Sequence, residues 1–257
     1  MKLSADARTL IVIPARLRST RFPRKVLQLL DGRPIVEWCR RAAVRSRCGP
    51  VIVAADHADV RAAVESYGGT AVMTPAGCRS GTDRVFAALR AAEKILGRKF
   101  RSIINLQGDE PFIRPATIRQ VARLVERGGP DDMSTAVVPA PDPRMAADPN
   151  RVKAVLSADG RCLYFSRAPI PHARSRKAPA PLIHIGIYGF TRAALKKFVR
   201  LRPSPLENVE MLEQLRALEA GMTIRGARVR DEILAIDTPA DLARAKQYLR
   251  RIKGKRT

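Results

Sequence analysis

The stretch Leu10-Ile11-Val12-Ile13-Pro14-Ala15-Arg16-Leu17-Arg18-Ser19-Thr20-Arg21-Phe22-Pro23-Arg24-Lys25 decides the fold. An unbroken run of Leu, Ile and Val this short predicts a strand covered on both faces, as in a parallel sheet. It empties into a loop that carries Arg16, Arg18, Arg21, Arg24 and Lys25 together with the hydroxyls of Ser19 and Thr20. In open α/β sheets, ligands settle outside the carboxyl ends of the strands, where loop amides, side-chain donors and helix N-termini converge on phosphate oxygens. The loop therefore fits a polyanion, a triphosphate first of all. A solvated basic patch on a very basic chain is the competing reading, and physics alone leaves the two about even.

Working outward, the N-terminal half alternates strand-like and helix-like stretches, the pattern of a doubly wound, mostly parallel sheet. Asp31-Gly32 marks a turn and Pro34 opens a helix to about Arg47. Strands are expected at 50–55, 71–74 and 102–106, with helices at 58–67, closed by Gly68-Gly69, and 83–96. No GxGxxG follows the first strand and no Walker sequence occurs, which disfavours a dinucleotide enzyme. At the carboxyl end of the strand through Leu106 stands Gln107-Gly108-Asp109-Glu110-Pro111. Gly108 permits close backbone approach to a ligand, and Asp109 offers a hard oxygen of the kind Mg²⁺ prefers. Taken alone, such an acid is more often just part of a solvated turn.

In the C-terminal half, Pro139 to Asn150 reads as a loop, and 152–156 with 162–165 as a β-hairpin turning at Asp159-Gly160. The Pro- and Arg-rich stretch from Ala168 to Pro181 is expected to be a mobile loop, followed by a strand at 183–190 and two helices. Ser204-Pro205-Leu206-Glu207 is a capping box, predicting a helix from Pro205 to about Ala220 with Leu206, Val209, Leu212 and Leu215 as its apolar stripe. On that helix Glu210 and Gln214 would share another face. The segment Ile233-Leu234-Ala235 reads as a last strand. After it, Thr238 caps the closing helix with Asp241 as partner, leaving Asp237 free of capping duty. Beyond Lys246 a frayed basic tail is expected.

With 257 residues and 46% apolar content, the chain suffices for one α/β domain with a modest appended piece. Its apolar runs fall short of a membrane span, and Asp6 and Arg8 stand where a signal peptide would be apolar, so a cytoplasmic protein is expected. Cys39, Cys48, Cys78 and Cys162 show no paired spacing, which argues against a zinc site or a disulfide framework. The net charge of +24 raises nonspecific association with nucleic acid or an anionic membrane as a second hypothesis. Against it, the cations are 37 Arg and 11 Lys scattered over every segment, and aromatics are only 5% of the chain. A GC-rich codon bias or an unusual internal ionic milieu explains the charge better than a polyanion partner.

Ile13-Pro14-Ala15-Arg16, Ser19-Thr20-Arg21-Phe22-Pro23 and Lys25 resemble the opening motif of the 3-deoxy-manno-octulosonate (Kdo) cytidylyltransferases. The family's order continues through Ser80-Gly81-Thr82-Asp83-Arg84, the Gln107–Pro111 motif, Tyr164-Phe165-Ser166-Arg167 and His184-Ile185-Gly186-Ile187-Tyr188-Gly189. It closes with Pro203–Glu207, Glu210–Arg216 and Asp237-Thr238-Pro239, so the resemblance spans roughly residues 9 to 245. The resemblance implies a Rossmann-like nucleotidyltransferase, an α/β three-layer sandwich with a mixed central sheet. It further implies a single domain over 1–257 in which about 139–190 is a small β-rich insertion for sugar binding and homodimer contact. The implied reaction is metal-dependent transfer of CMP from CTP to the anomeric hydroxyl of Kdo, with release of pyrophosphate, for lipopolysaccharide synthesis.

Carried residue by residue, the resemblance puts Pro14, Ala15, Arg16, Ser19, Arg21, Lys25, Ser80, Gly81 and Asp83 on the nucleotide. It puts Gln107, Arg167, His184, Tyr188, Glu210 and Gln214 on the sugar, and Mg²⁺ on Asp109 and Asp237. Lys25, Arg16, Asp109 and Asp237 are the expected catalytic set. Without the resemblance, His184 would read as a satisfied core histidine and Glu210 as a solvated acid. Two positions depart from the family pattern: Arg24 replaces the usual glycine before the loop lysine, and Gly77-Cys78-Arg79 precede Ser80. Two alternatives remain, a sibling cytidylyltransferase for sialic acid or another 3-deoxy-ulosonic acid, and a nonenzymatic polyanion-binding protein on the same fold.

Overall fold

A computed structural model describes residues 8–129, 132–175, 179–232 and 234–254. The described chain gathers into two compact units. One holds the residues up to Phe100, Asn105–Pro115 and those from Leu234 onward; the other holds Arg101–Ile104 and Ala116 to Glu232.

In the first unit, β1 (Thr9–Ala15) is buried at every position, as its apolar run requires. Leu10, Ile11, Val12 and Ile13 are 0% exposed, and each such side chain contributes roughly 1.5–3 kcal/mol over an exposed one. The chain then makes a short hairpin, β2 (Leu29–Leu30) with β3 (Arg33–Pro34), turning at Asp31 and Gly32 with φ of 53° and 75° as the expected turn requires. Next come α1 (Ile35–Ser46), β4 (Val51–Ala55), α2 (Ala58–Glu65), β5 (Thr70–Met73), α3 (Gly81–Leu96) and β6 (Ser102–Leu106). β4 runs parallel to β1, with Ile11 opposite Val51 and Ala15 opposite Ala55, and β5 runs parallel to β4. The alternation of strand and helix is the one read from the sequence. α3 starts two residues before the expected Asp83, because the Ser80 hydroxyl accepts from the Asp83 N–H and caps the helix there.

The second unit takes the start of β6, then α4 (Pro115–Glu126) from Ala116, β7 (Met133–Pro139), β8 (Lys153–Leu156), β9 (Cys162–Ser166) and β10 (Leu182–Thr191). α5 (Arg192–Phe198), α6 (Pro205–Glu210), α7 (Gln214–Glu219) and β11 (Ile224–Arg228) follow. β7 lies between β10, antiparallel to it, and β11, parallel to it. β8 and β9 form the expected antiparallel hairpin, with Gly160 at φ 85° in its turn. Between Ala168 and Pro181 the described residues form neither helix nor strand, and residues 176–178 of that expected loop lie outside the described ones.

Three expectations are corrected. The helix placed from Pro205 to Ala220 starts with its capping box but breaks at Met211, which adopts φ 52° and ψ 48° as the C-cap of α6. Its stripe is therefore no face: Val209 is 79% exposed while Leu215 is 0%. The expected last strand is absent at Leu234 and Ala235, and Ile233 lies outside the described residues. The basic segment after Lys246 is helical, since α8 (Pro239–Gly254) continues through it, its Leu249 packed with Leu242 and Ala245.

One apolar cluster of the first unit positions the site. Phe22 from the loop after β1 packs with Leu30, Ile35, Ile236, Leu242, Ala245 and Leu249. The residue beside Arg21 and the residue before Asp237 are thus held in one core.

Candidate active site

Lys25 opens a single 3₁₀ turn, Lys25–Leu27, behind Arg24, which sits in the left-handed region at φ 56°. Asp109 lies in the turn that follows β6, and its carbonyl accepts from the Ile236 N–H at 3.0 Å. That backbone bond brings Asp237 alongside. The Lys25 ammonium donates to Asp109 Oδ2 at 2.7 Å and to Asp237 Oδ1 at 2.8 Å, and an Arg21 guanidinium nitrogen lies 3.2 Å from the same Asp237 oxygen. Burial pulls the Lys25 pKa down, but the charges and hydrogen bonds of the two aspartates more than offset it, leaving it above the ordinary lysine value. Lys25 is therefore a fixed cation at neutral pH. Asp237 is spared capping, as expected, because Asp241 accepts from the Asp237 and Thr238 N–H groups at 3.1 and 2.8 Å.

Around this point the other expected nucleotide residues fall into the same unit. Arg16, Leu17, Arg18, Ser19, Thr20, Pro23 and Arg24 line a cavity of ≈ 360 Å³. Pro14 and Ala15 end β1 opposite Ala54 and Ala55. At Gly81 a Cβ would stand 3.1 Å from the Gln107 amide and 3.4 Å from Pro14, so this glycine lets three motifs meet. Gly108 approaches the protein backbone closely: a Cβ there would lie 3.0 Å from the Pro14 carbonyl oxygen. Ser80 is spent as a helix cap, and Asp83 lies 3.9 Å from Arg79. Gln107, expected on the sugar, donates to Asn105 Oδ1 at 3.1 Å.

Sequence reading passed over Asp56 and Arg84. Asp56 Oδ1 accepts from the Leu17 N–H at 2.8 Å, and Arg84 Nη2 lies 3.4 Å from Asp56 Oδ2. Arg84 stood in a quoted motif, yet an arginine on a helix reads as solvent-facing until its burial, 3% exposed, is seen.

The remaining sugar candidates lie in the second unit. His184 Nε2 is 2.9 Å from Thr135 Oγ1, whose proton is given to the Ile187 carbonyl at 2.7 Å. A hydroxyl has one proton to give, so Nε2 carries the hydrogen and Nδ1 keeps the lone pair. Burial lowers the His184 pKa to about 4, so the ring is neutral near pH 7. Tyr188, with its ring centroid 5.3 Å from that of His184, has its phenol pushed well above the ordinary value by burial and then by Glu213 and Cys162. Arg167 is taken up by carbonyls: Nε donates to Glu210 O at 2.7 Å, Nη1 to Pro149 O at 3.0 Å and Nη2 to Met211 O at 3.4 Å. It thus satisfies groups freed by the helix break. Glu210 accepts from Ser166 Oγ at 2.5 Å and from the Arg167 N–H at 2.9 Å. Gln214 is 3% exposed and lies beyond the break, so it does not share a helix face with Glu210. Lys153, also passed over, is 0% exposed and gives its ammonium to the carbonyls of Asp148 and Arg167.

Comparison with known proteins adds sequence and fold evidence. A family model described as Cytidylyltransferase matches residues 10–224. The 3-deoxy-manno-octulosonate cytidylyltransferase of Elusimicrobium minutum is 44% identical over 247 residues, covering 94% of this chain and 98% of that protein. The protein of the same name from Myxococcus xanthus is 45% identical over 249 residues, covering 95% and 98%. A solved CMP:2-keto-3-deoxy-manno-octonic acid synthetase in complex with CTP superposes with a TM-score of 0.85 at 34% identity, covering 95% of this chain and 99% of that one. A nucleotidyl transferase from Methanothermobacter, at 18% identity and a TM-score of 0.63, shares the fold.

Proposed function

That the chain belongs to the 3-deoxy-manno-octulosonate cytidylyltransferase family is the premise from which we propose its function: transfer of CMP from CTP to the anomeric hydroxyl of Kdo, with release of pyrophosphate. The anomeric oxygen forms a bond to the α-phosphorus as the bond to the β-phosphate oxygen breaks, and the hydroxyl proton is lost to water. Such a transfer offers the protein little covalent chemistry, so positioning and charge neutralisation must supply most of the acceleration.

One observation carries the site assignment. Two carboxylates from distant parts of the sequence converge on a single ammonium beside Arg21, and Arg16, Arg18 and Arg24 of the same loop line a cavity. Lys25, Arg21 and Arg16 would hold the triphosphate, their fixed charges neutralising its oxygens. Lys25 stays protonated, which excludes it as a general base and suits it to binding phosphate. The donor set also fits Mg²⁺: Asp109 and Asp237 bring two hard carboxylate oxygens together, each within 2.8 Å of the Lys25 ammonium, and oxygen donors of this kind are what that ion prefers. Asp109 and Asp237 would hold it, and when bound it would lower the pKa of the attacking hydroxyl and offset phosphoryl charge.

On the sugar side, the neutral His184, the protonated Tyr188, Glu210 and Gln214 are hydrogen-bonding groups of the kind a polyhydroxylated acid needs. Homodimer formation and a cytoplasmic setting belong to the same proposal. Val209 and Met211, 79% and 76% exposed, supply apolar surface that a second copy would cover. The test is a pyrophosphate-release assay over the four NTPs with Kdo and N-acetylneuraminate as acceptors. Release with CTP and Kdo is expected; preference for N-acetylneuraminate would move the chain to the sibling specificity, and no release with any pair would leave a polyanion-binding protein.

A further inference from the structure

The loop from Arg16 to Arg24 has no helix or strand and carries Arg16, Arg18, Arg21 and Arg24. Its C-terminal half is anchored by Phe22 in the core, and its N-terminal half is clamped at the Leu17 backbone. The Leu17 N–H donates to Asp56 Oδ1 at 2.8 Å, and the Leu17 carbonyl accepts from the Arg24 N–H at 3.1 Å. The first of these acceptors is itself built in. Asp56 follows β4 with its side chain 10% exposed, and Arg84 of α3, with its side chain 4% exposed, stands 3.4 Å from Asp56 Oδ2. The same guanidinium donates to Thr74 Oγ1 at 2.7 Å and to the Pro75 carbonyl at 3.2 Å, while Thr74 donates to the Ala55 carbonyl at 2.9 Å. The ends of β4 and β5 and the first turn of α3 thus form one polar network that delivers a single fixed acceptor to the loop. A buried charge pair is weak evidence for stability in itself, and the best-attested use of such pairs is to specify a geometry.

Resting on the function proposed above, we propose that Asp56 and Arg84 are positioning residues for the phosphate loop: Arg84 fixes the Asp56 carboxylate, and Asp56 holds Leu17 so that Arg16, Ser19 and Arg21 face the triphosphate in one preset arrangement. Neither touches substrate. Loss of the staple leaves the loop to be ordered at the moment of binding, at a cost in affinity.

The experiment is calorimetric CTP binding to folded wild type, Asp56→Asn, Asp56→Ala, Arg84→Met and the Asp56→Ala/Arg84→Met double variant, with amide exchange at Leu17 as a second readout. Asp56→Ala should bind CTP about tenfold more weakly, equivalent to about 1.4 kcal/mol. Asp56→Asn keeps an oxygen for the Leu17 N–H and should recover most of that loss. The double variant should bind no worse than Asp56→Ala, because both changes release one staple. A change in melting temperature alone, with wild-type affinity in the folded Asp56→Ala protein, overturns the inference, as does an Asp56→Asn protein as weak as Asp56→Ala. Should Asp56→Ala not fold, Arg84→Lys carries the test: it keeps the charge, lacks the fork and should weaken CTP binding, and wild-type affinity in it would overturn the proposal. If the wild type binds no CTP, the proposed function fails, and exchange decides this inference separately: a Leu17 amide exchanging as fast in the wild type as in Asp56→Ala overturns it.

Discussion

Asp109 and Asp237 meet on one ammonium, their Oδ2 and Oδ1 atoms 2.7 and 2.8 Å from Lys25 Nζ. Two acids taken alone would repel, and removing either would relieve the folded protein. With Lys25 between them the balance reverses. Each carboxylate is part of a charge-assisted hydrogen bond, a class worth about 1.5–3 kcal/mol. The exposure of Asp109 and Asp237 in these pairs, 27% and 36%, puts the net value toward the low end.

Asp109→Asn and Asp237→Asn should therefore each nearly abolish transfer and lower ligand-free stability slightly. In transfer rate the double variant should be little worse than either single one, since members of one catalytic assembly are non-additive. EDTA should reproduce the rate defect. Pyrophosphate release and urea melts check this; a single variant keeping more than about a tenth of the wild-type rate, a loss under about 1.4 kcal/mol, removes that residue from the site.

Lys25→Met should cut the rate by orders of magnitude, because the ammonium's hold on the phosphate oxygens matters most in the transition state. It leaves Asp109 and Asp237 facing each other with Arg21 as the remaining nearby cation on Asp237. Pyrophosphate release measures the effect, and near-normal turnover in a folded Lys25→Met protein would deny the lysine its place.

Arg24 holds φ 56° and ψ 27° where the resembling family usually has glycine. A side chain costs about 1–2 kcal/mol in that region, whereas its ion pair with Asp59, 57% and 41% exposed, is worth about 0–1 kcal/mol. Arg24→Gly should leave the melting temperature equal or slightly higher. A drop of several degrees would mean that the Arg24–Asp59 pair outweighs the backbone strain.

His184 titrates near pH 4 in the folded protein and near 6.5 when unfolded. Between those values the unfolded chain takes up a proton that the folded one refuses. Stability present above pH 6.5 is thus lost as pH falls toward 4, by on the order of 3 kcal/mol at about 1.4 per unit. His184→Gln, which keeps an N–H for Thr135, should flatten that slope in denaturant melts from pH 7 to 4.5. Parallel curves for variant and wild type would assign the acid sensitivity to other groups.

What the sequence determined by itself were the features that depend on near neighbours. The buried run of β1, the alternation of strands with helices, the capping boxes at Ser204 and Thr238 and the Asp159-Gly160 hairpin all follow from periodicity or from side chains within four residues of the backbone groups they satisfy. So does the choice of acids and cations for the candidate site, since the motif order is a one-dimensional property. Only the tertiary structure decided how those residues are spent. The break at Met211 could not be read from a continuous apolar pattern, because the carbonyls it frees are satisfied by Arg167, distant in sequence. Lys25 between two aspartates, Gly108 against the Pro14 carbonyl and Asp56 on Leu17 are likewise long-range pairings. An acid after a strand looks the same in sequence whether a lysine or a backbone amide comes to it, and packing alone determines which of these it meets.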